Sequence, residues 1–361
     1  VILISYLLSA VYALAGIYFL LLLAAFFLSF RKAASSRKDA GGSADRAGVS
    51  VVLLIDGLEN YREEALRSVL EQCSDISGRG PELIFIDRGV SSDLIKELSY
   101  DYPNVRKMQF STPQMNIRVI REILEHKSTG EIFVFVDSRS RVQDGWLDGL
   151  LSEMDEDLEL LAAKTLSELD EERPRYFQAL DRLFKTTLLR SLGPKGLSIY
   201  ARFDNIVIRR QAFFGEQELP KLKRRTVGDQ LPTTVLRYER NGFRALLADK
   251  LSENFWSNPM VERSAVNISW YFLNHAVNIL PLLLFLLYLR GLADLLPMLI
   301  VLFMKFIGEG LIISRGARIY SQQPLLNDFW SWFFINPPIS LIMFLGSVVI
   351  PIRFFRPKSR R

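Results

Sequence analysis

The sequence predicts an α/β protein, a mostly parallel, doubly wound sheet carried between N-terminal and C-terminal transmembrane helices. Three observations predict it. Val1 to Phe30 and most of Ile268 to Ile352 are almost wholly apolar, and runs of about 20 such residues are long enough to span a bilayer core. Between them short apolar strands alternate with amphipathic helices, the pattern of a parallel sheet with helical crossovers. One of those strands, Ile132 to Val136, ends on Asp137 and leads through a polar loop to Gly145-Trp146-Leu147. Open α/β sheets bind their ligands at the C-terminal ends of such strands.

In chain order, residues 1–30 read as a retained anchor, too long for a signal-peptide core and without a small-residue cleavage site. Residues 31–48 form a basic linker, with Arg31, Lys32, Arg37 and Lys38 followed by the Gly-, Ala- and Ser-rich stretch from Ala40 to Gly48, a flexible tether. Basic residues after the anchor place the next domain in the cytoplasm. That domain spans 49–267. Strands are expected at Val49 to Ile55, Glu82 to Asp87, Val105 to Phe110 and Ile132 to Asp137. Helices are expected at Glu63 to Gln72, Ser92 to Tyr100 and Met115 to His126, the first with Ala65, Leu66, Val69 and Leu70 as its core stripe.

Residues 268–352 form a C-terminal membrane region of two to three segments. Ser269 to Leu289 and Leu292 to Ile313 make a hairpin around Arg290-Gly291. Asp328 to Ile352, with Pro337-Pro338, is long enough for a third crossing, which sets the basic tail of 353–361 outside, against the positive-inside tendency. A re-entrant course would keep that tail inside.

Composition narrows the chemistry. Of 361 residues 49% are hydrophobic and 24% charged, and the net charge of +5 comes largely from the flanks of the apolar runs. Such flanks suit anionic headgroups, not nucleic acid. Cys73 is the single cysteine and the histidines are His126 and His275, which excludes an intrachain disulfide and a cysteine or histidine-rich metal centre. A metal would sit on carboxylates, which favours Mg or Mn.

Five segments occur in an order that resembles family 2 glycosyltransferases. VSVVLLIDGLEN resembles the family's opening strand, and ELIFIDRGVSSD its second strand and Asp-Asp-Gly-Ser turn. Asp137-Ser138-Arg139 stands at the Asp-x-Asp motif, ahead of a Gly-Trp-Leu helix start. DNIVIRRQAFF resembles the Asn-x-x-x-Arg-Arg segment, and VGDQLPTTVLRYERNGFRALLAD the acceptor-side helix and strand. The similarity runs from about Val49 to Asn267. It implies the GT-A fold, the nucleotide-diphospho-sugar transferase fold, in the membrane-anchored superfamily of cellulose synthase and poly-N-acetylglucosamine synthase, with departures at the Asp-x-Asp and Gln-x-x-Arg-Trp motifs.

The resemblance implies roles residue by residue. Asp87 matches the carboxylate that faces the nucleobase, although Arg88 replaces the second Asp of that turn; a plain turn-forming Asp is the simpler reading. Asp137 matches the first carboxylate near ribose and metal. With Arg139 in place of the second, Mg or Mn binding is weakened, because hard cations want several oxygens. Arg139 suits direct contact with a diphosphate, and some transferases of this fold work without metal; the alternative is a degenerate site with Arg139 and Arg141 solvated. Arg118 and Arg121 share a helix face, and Arg118 joins the donor-binding set. Asp229 is the candidate general base, at a helix start that favours its anionic form, and a cap is the competing reading. Arg263 occupies the place of the motif arginine and is assigned to the acceptor, but Met260 and Ser264 stand where Gln and Trp belong; a snorkelling arginine beside a membrane run reads equally well. The basic run Lys221, Lys223, Arg224 and Arg225 reads as a solvated loop. Lys305 and Glu309, four residues apart within a membrane segment, are expected to pair.

The function so implied is an inverting glycosyltransferase at the cytoplasmic face of the cell membrane, a multi-pass protein moving a sugar from a UDP- or GDP-linked donor to a lipid-linked or envelope glycan acceptor. The competing reading is a catalytically degenerate membrane subunit that binds nucleotide or a partner synthase, and Gly57, Arg88, Arg139 and the missing Gln and Trp feed it.

Overall fold

The computed structural model describes residues 2–30, 48–55, 63–74, 80–87, 97, 100–102, 105–112, 117–155, 157–169, 177–192, 205–215, 224–226, 234–236, 246–247, 250 and 265–354. The chain divides into two compact units. One comprises Val1–Arg31, Asp170–Tyr200 and Glu239–Arg361; the other comprises Lys32–Leu169 and Ala201–Tyr238.

The second unit is built on a sheet. Its strands are β1 (Val49–Ile55), β2 (Glu82–Asp87), β3 (Lys107–Ser111), β4 (Ile132–Asp137), β5 (Ser140–Val142), β6 (Leu160–Ala162), β7 (Thr165–Ser167), β8 (Asn205–Arg209), β9 (Arg224–Thr226) and β10 (Thr234–Leu236). Among the described residues the main sheet has the order β3-β2-β1-β4-β8-β6-β9, and β5, β10 and β7 make a small second sheet. The four strands from β3 to β4 are parallel, and β8 runs antiparallel to β4 and β6. The predicted doubly wound α/β class is therefore present, with an antiparallel insertion that adds β8.

Local sequence accounts for the parallel half. β1 and β2 are buried along nearly their whole length, so they read as continuous apolar runs instead of alternating ones. The crossover helix α2 (Glu63–Cys73) buries Ala65, Leu66, Val69, Leu70 and Cys73, the predicted stripe plus one residue. α3 (Ile117–Lys127) leads into β4. The expected helix at Ser92 to Tyr100 falls mostly outside the described residues. Leu53, Phe85, Val134, Trp146 and Val207 share one core with the α2 stripe.

At the N-terminal end of the strands Glu82 acts as a clamp. Its carboxylate accepts from Ser50 Oγ, from Thr129 N at 2.7 Å and Oγ1 at 3.0 Å, and from Gly130 N at 3.2 Å. A Cβ at Gly130 would lie 2.6 Å from Ser50 N and 2.9 Å from the Val49 carbonyl carbon. Only glycine lets the chain enter β4 so close to β1. With this end tied, the opposite, C-terminal end of the sheet is left for chemistry.

The first unit is helical: α1 (Ile2–Leu28), α5 (Phe177–Leu192), α7 (Ala265–Leu289), α8 (Leu295–Ile319) and α9 (Phe329–Phe354). Four stretches, Ser5–Leu28, Ala265–Leu289, Leu295–Ile319 and Gln323–Gly346, are long and apolar enough to cross a membrane. They match the predicted anchor and the three C-terminal runs, and α9 continues as one helix through Pro337 and Pro338. Val11 and Ala15 of α1 pack with Leu280, Leu284 and Val301.

Close approach and polar locks hold this bundle. A Cβ on Gly316 of α8 would collide with Thr187 Oγ1 and lie 3.1 Å from Leu183 Cδ1, so α5 crosses α8 at a glycine. Lys305 and Glu309 do pair, at 2.6 Å, and both are buried. Tyr18 of α1 places its hydroxyl 3.0 Å from Glu309 Oε1 and 3.2 Å from Asn274 Oδ1 of α7, and Lys305 Nζ sits 4.1 Å from the ring centre of Phe333 on α9. One ion pair on α8 thus meets α1 and α9 directly and reaches α7 through the Tyr18 hydroxyl. A second polar lock joins Asp181 of α5 to Lys185 and, at 2.7 Å, to Lys250, which also donates to Asn336 at 2.8 Å.

Candidate active site

The register of the parallel strands sets the site. Leu54 is opposite Asp137 and Ile55 is opposite Asp87, so both aspartates end their strands at one level, flanking β1. Two strand spacings put their backbones about 10 Å apart. These carboxylates are what a sheet of this hand offers to a ligand at its C-terminal edge.

Asp87 is fully buried. Its carboxylate accepts from Gln109 Nε2 at 2.9 Å and from Ser111 Oγ at 2.8 Å, while its carbonyl accepts from Thr112 N at 2.7 Å. All three donors come from β3 or the residue after it, so Asp87 fastens the edge strand to β2. Asp87→Ala strands two donors and is expected to cost about 1–3 kcal/mol of stability. Thermal unfolding of the full chain in detergent measures it. Asp87→Asn, which keeps an acceptor oxygen, should retain most of the wild-type value.

Asp137 is bound by the residue that replaces the second carboxylate of the motif. Arg139 donates to Asp137 Oδ1 from its backbone N–H at 2.8 Å and from Nε at 2.9 Å, and to Oδ2 from Nη2 at 2.6 Å. The pair is a bidentate fork closed over two residues, and bidentate geometry makes it a strong one. About a quarter of the Arg139 side chain stays exposed, against 18% for Asp137. The pair lies at the surface of the sheet edge. Ser138, between them, is buried and donates its N–H to Leu54 O at 3.2 Å, which fixes the turn.

Behind this turn Asn205 is a hub. Paired with Val136, it accepts from Trp146 Nε1 at 3.2 Å and donates to Lys164 O at 2.8 Å and to Thr234 Oγ1 at 3.2 Å. Trp146 opens α4 (Trp146–Glu153) and is fully buried, and Gly145 before it adopts φ 70°, a left-handed turn that suits glycine. The Gly-Trp-Leu start and the Asn-x-x-x-Arg-Arg segment are thus two halves of one support. Its arginines are structural as well. Arg209 donates to the carbonyls of Leu158 and Asp155, and Arg210 to Ser128 and, across 3.3 Å, to Gly130, with its guanidinium over the Phe214 ring of α6 (Arg210–Phe214). Arg121 lies 5.4 Å from the Phe213 ring centre.

Asp137 and Arg139 are brought together, and Asp87 lies at the same edge. Arg118 is the second residue of α3, its side chain outside the described residues. Asp229, Arg263, Gly57, Arg88, Lys221 and Lys223 also lie outside them. Arg224 and Arg225 belong to β9, opposite Leu160 and Leu161 of β6, so that part of the basic run is strand, not loop. Sequence reasoning missed Glu82 and Asn205 as supports; each is a polar residue that opens an apolar strand and is buried there, and a polar residue at the head of an apolar run is the signal that would have found them.

Residues 55–214 match the family model described as glycosyl transferase family 2. The chain carries a family 2 glycosyl transferase domain. Comparison with curated proteins returns no match. The mannosyltransferase PcManGT from Pyrobaculum calidifontis, solved in complex with GDP-Man and Mn2+, is 13% identical and superposes with a TM-score of 0.53 over 95% of this chain and 99% of that one. That likeness establishes the GT-A fold. S. aureus TarS 1-349 also matches, at 13% identity and a TM-score of 0.35, over 76% of this chain and 91% of that one.

A family 2 transferase domain raises the question of a divalent ion, and the donor set at β4 does not fit one. Both oxygens of Asp137 already accept from Arg139, and a cation stands where a second carboxylate would complete the set. Among the described residues no three His, Cys, Asp or Glu side chains gather closely enough to hold a metal. A hard dication wants several oxygen ligands and is repelled by a neighbouring guanidinium.

Proposed function

We propose that this protein is a multi-pass membrane glycosyltransferase that moves a sugar, with inversion, from a nucleotide sugar to a lipid-linked or envelope glycan acceptor at the cytoplasmic face. The observation that carries the reading is the Asp137–Arg139 pair at the end of β4, inside the segment that matches family 2. The acceptor hydroxyl attacks the anomeric carbon from the face opposite the leaving group. A C–O bond forms there as the bond to the nucleoside diphosphate breaks, and Asp229 takes the hydroxyl proton. Asp137, Arg139 and Arg118 hold the donor, with charge set against the departing diphosphate. Asp87 shapes the nucleoside side through its bonds to β3, and Arg263 serves the acceptor. A UDP- or GDP-linked sugar is the donor, and GDP-Man in the mannosyltransferase structure supports that class. The same structure's Mn2+ supports a divalent ion in that protein; here the residues at β4 take the reaction along a different route.

Four apolar helices favour a membrane-borne acceptor, because an acceptor held in the plane of the bilayer meets the site at high effective concentration. The basic flanks support the cytoplasmic side. A second reading, a nucleotide- or synthase-binding subunit without turnover, draws on the engagement of Asp137 by Arg139. Thermal unfolding with a panel of nucleoside diphosphates and nucleotide sugars separates them. Binding to the native state raises the midpoint, by about 2.7 kcal/mol of stabilisation at a hundred times Kd. Stabilisation by one nucleotide class, followed by release of its diphosphate, is the expected result. Stabilisation without release in the presence of lipid extract would support the subunit.

A further inference from the structure

We infer that Arg139, aligned by Asp137, supplies at the donor diphosphate the positive charge that a carboxylate-bound dication supplies elsewhere, so that donor binding by this protein needs no divalent metal. The inference rests on the nucleotide-sugar reading above. Its physical basis is the fork between the two residues. Asp137 takes the Nε and Nη2 edge of the guanidinium at 2.9 and 2.6 Å, and the Asp137 Oδ1 contact with the Arg139 backbone N–H closes the same turn at 2.8 Å. The cation is therefore pre-oriented by its own neighbours, at a strand end whose register is fixed by β1 and β8. Pre-orientation matters because a long side chain otherwise loses rotamer entropy when it grips a ligand.

Charge balance favours the same conclusion. Asp137 and Arg139 are together neutral, and a dication on Asp137 would sit beside the guanidinium that the same carboxylate holds and be repelled by it. A guanidinium is a planar donor that matches phosphate oxygens two at a time. It stays partly exposed at the sheet edge and can bond a diphosphate while Asp137 holds it. When the glycosidic bond breaks, the electron pair goes to the diphosphate oxygen, and the fixed cation stabilises that charge without a proton or a metal changing place.

Binding of UDP and GDP to the full chain in detergent, by calorimetry, tests this. With chelator present, wild-type affinity is expected to stay within twofold of its value in Mn2+. Arg139→Asp puts a second carboxylate at the motif position; it should lose about tenfold or more in chelator and recover on adding Mn2+. Arg139→Gln, which keeps the size and loses the charge, should lose affinity in both conditions. The unfolding midpoint of each variant in the absence of nucleotide checks that the fold persists. Wild-type binding that requires Mn2+, or Arg139→Asp and Arg139→Gln binding as tightly as wild type in chelator, would overturn the inference while leaving the donor site intact. Failure of wild type to bind any nucleoside diphosphate, with metal or without, would overturn the donor reading and this inference together.

Discussion

Asp229→Asn is expected to lower turnover by 10²- to 10⁴-fold while leaving nucleotide binding within about twofold of wild type. The amide keeps the size and the hydrogen-bonding reach of the side chain but cannot accept the acceptor's proton. If the proton transfer is what Asp229 provides, the loss falls in kcat, not in the apparent donor affinity. Turnover is read as release of the nucleoside diphosphate in the presence of membrane lipid, and binding by calorimetry on the same preparation. A variant that retains wild-type turnover would remove Asp229 from the mechanism. A variant that loses binding and turnover together would assign it to the donor instead.

Glu309→Leu carries the largest expected effect on stability, about 3–5 kcal/mol, the range for removing one partner of a buried ion pair. The substitution leaves the Lys305 ammonium buried against Phe333 without the Glu309 counter-charge, and it takes from the Tyr18 hydroxyl its bond to Glu309. Asn274 remains within reach of Tyr18, so α1 and α7 keep one tie. The double variant Lys305→Met with Glu309→Leu should recover most of the loss, since replacing both charges by apolar groups of similar size is often close to neutral. Thermal unfolding in detergent with size-exclusion analysis measures both. A single variant as stable as wild type would show that Lys305 finds another partner or loses its proton at little cost.

Much of the fold was legible because its signals are local. The strands at Val49, Glu82 and Ile132 begin and end where the apolar runs do, and α2 and α3 follow the spacing of their leucines and valines to within two residues. The membrane-length helices follow from length and composition alone. Helix α5 is the counter-example. Phe177, Leu180, Leu183, Phe184, Thr187, Leu188 and Ser191 recur at helical spacing, yet the sequence reading carried no helix there. Its tertiary grouping is less local still: Arg190 donates to Ser29 O, 161 positions away, and Asp181 pairs with Lys250, so α5 belongs to the unit of apolar helices, although residues 55–214 match the transferase model as one run.

The site shows the same division. Asp87 and Asp137 could be placed at strand ends from the sequence, because a strand's last residue is fixed by where its apolar run stops. What each carboxylate does is set by partners that no periodicity marks. Gln109 and Ser111, more than twenty residues from Asp87, occupy its oxygens because β3 pairs with β2 in one register and not the next. A slip of one residue would turn both side chains to the other face of the sheet. Arg139 was visible as a substitution, but whether it reached solvent or folded onto Asp137 depended on the turn that Ser138 makes against Leu54. The sequence by itself determined the membrane-length helices, the parallel sheet and the strand ends its aspartates occupy, since hydrophobic runs and their periods are properties of neighbouring residues. Only the tertiary structure decided which charges meet, because an ion pair or a buried hydrogen bond depends on distances between segments the chain brings together from far apart.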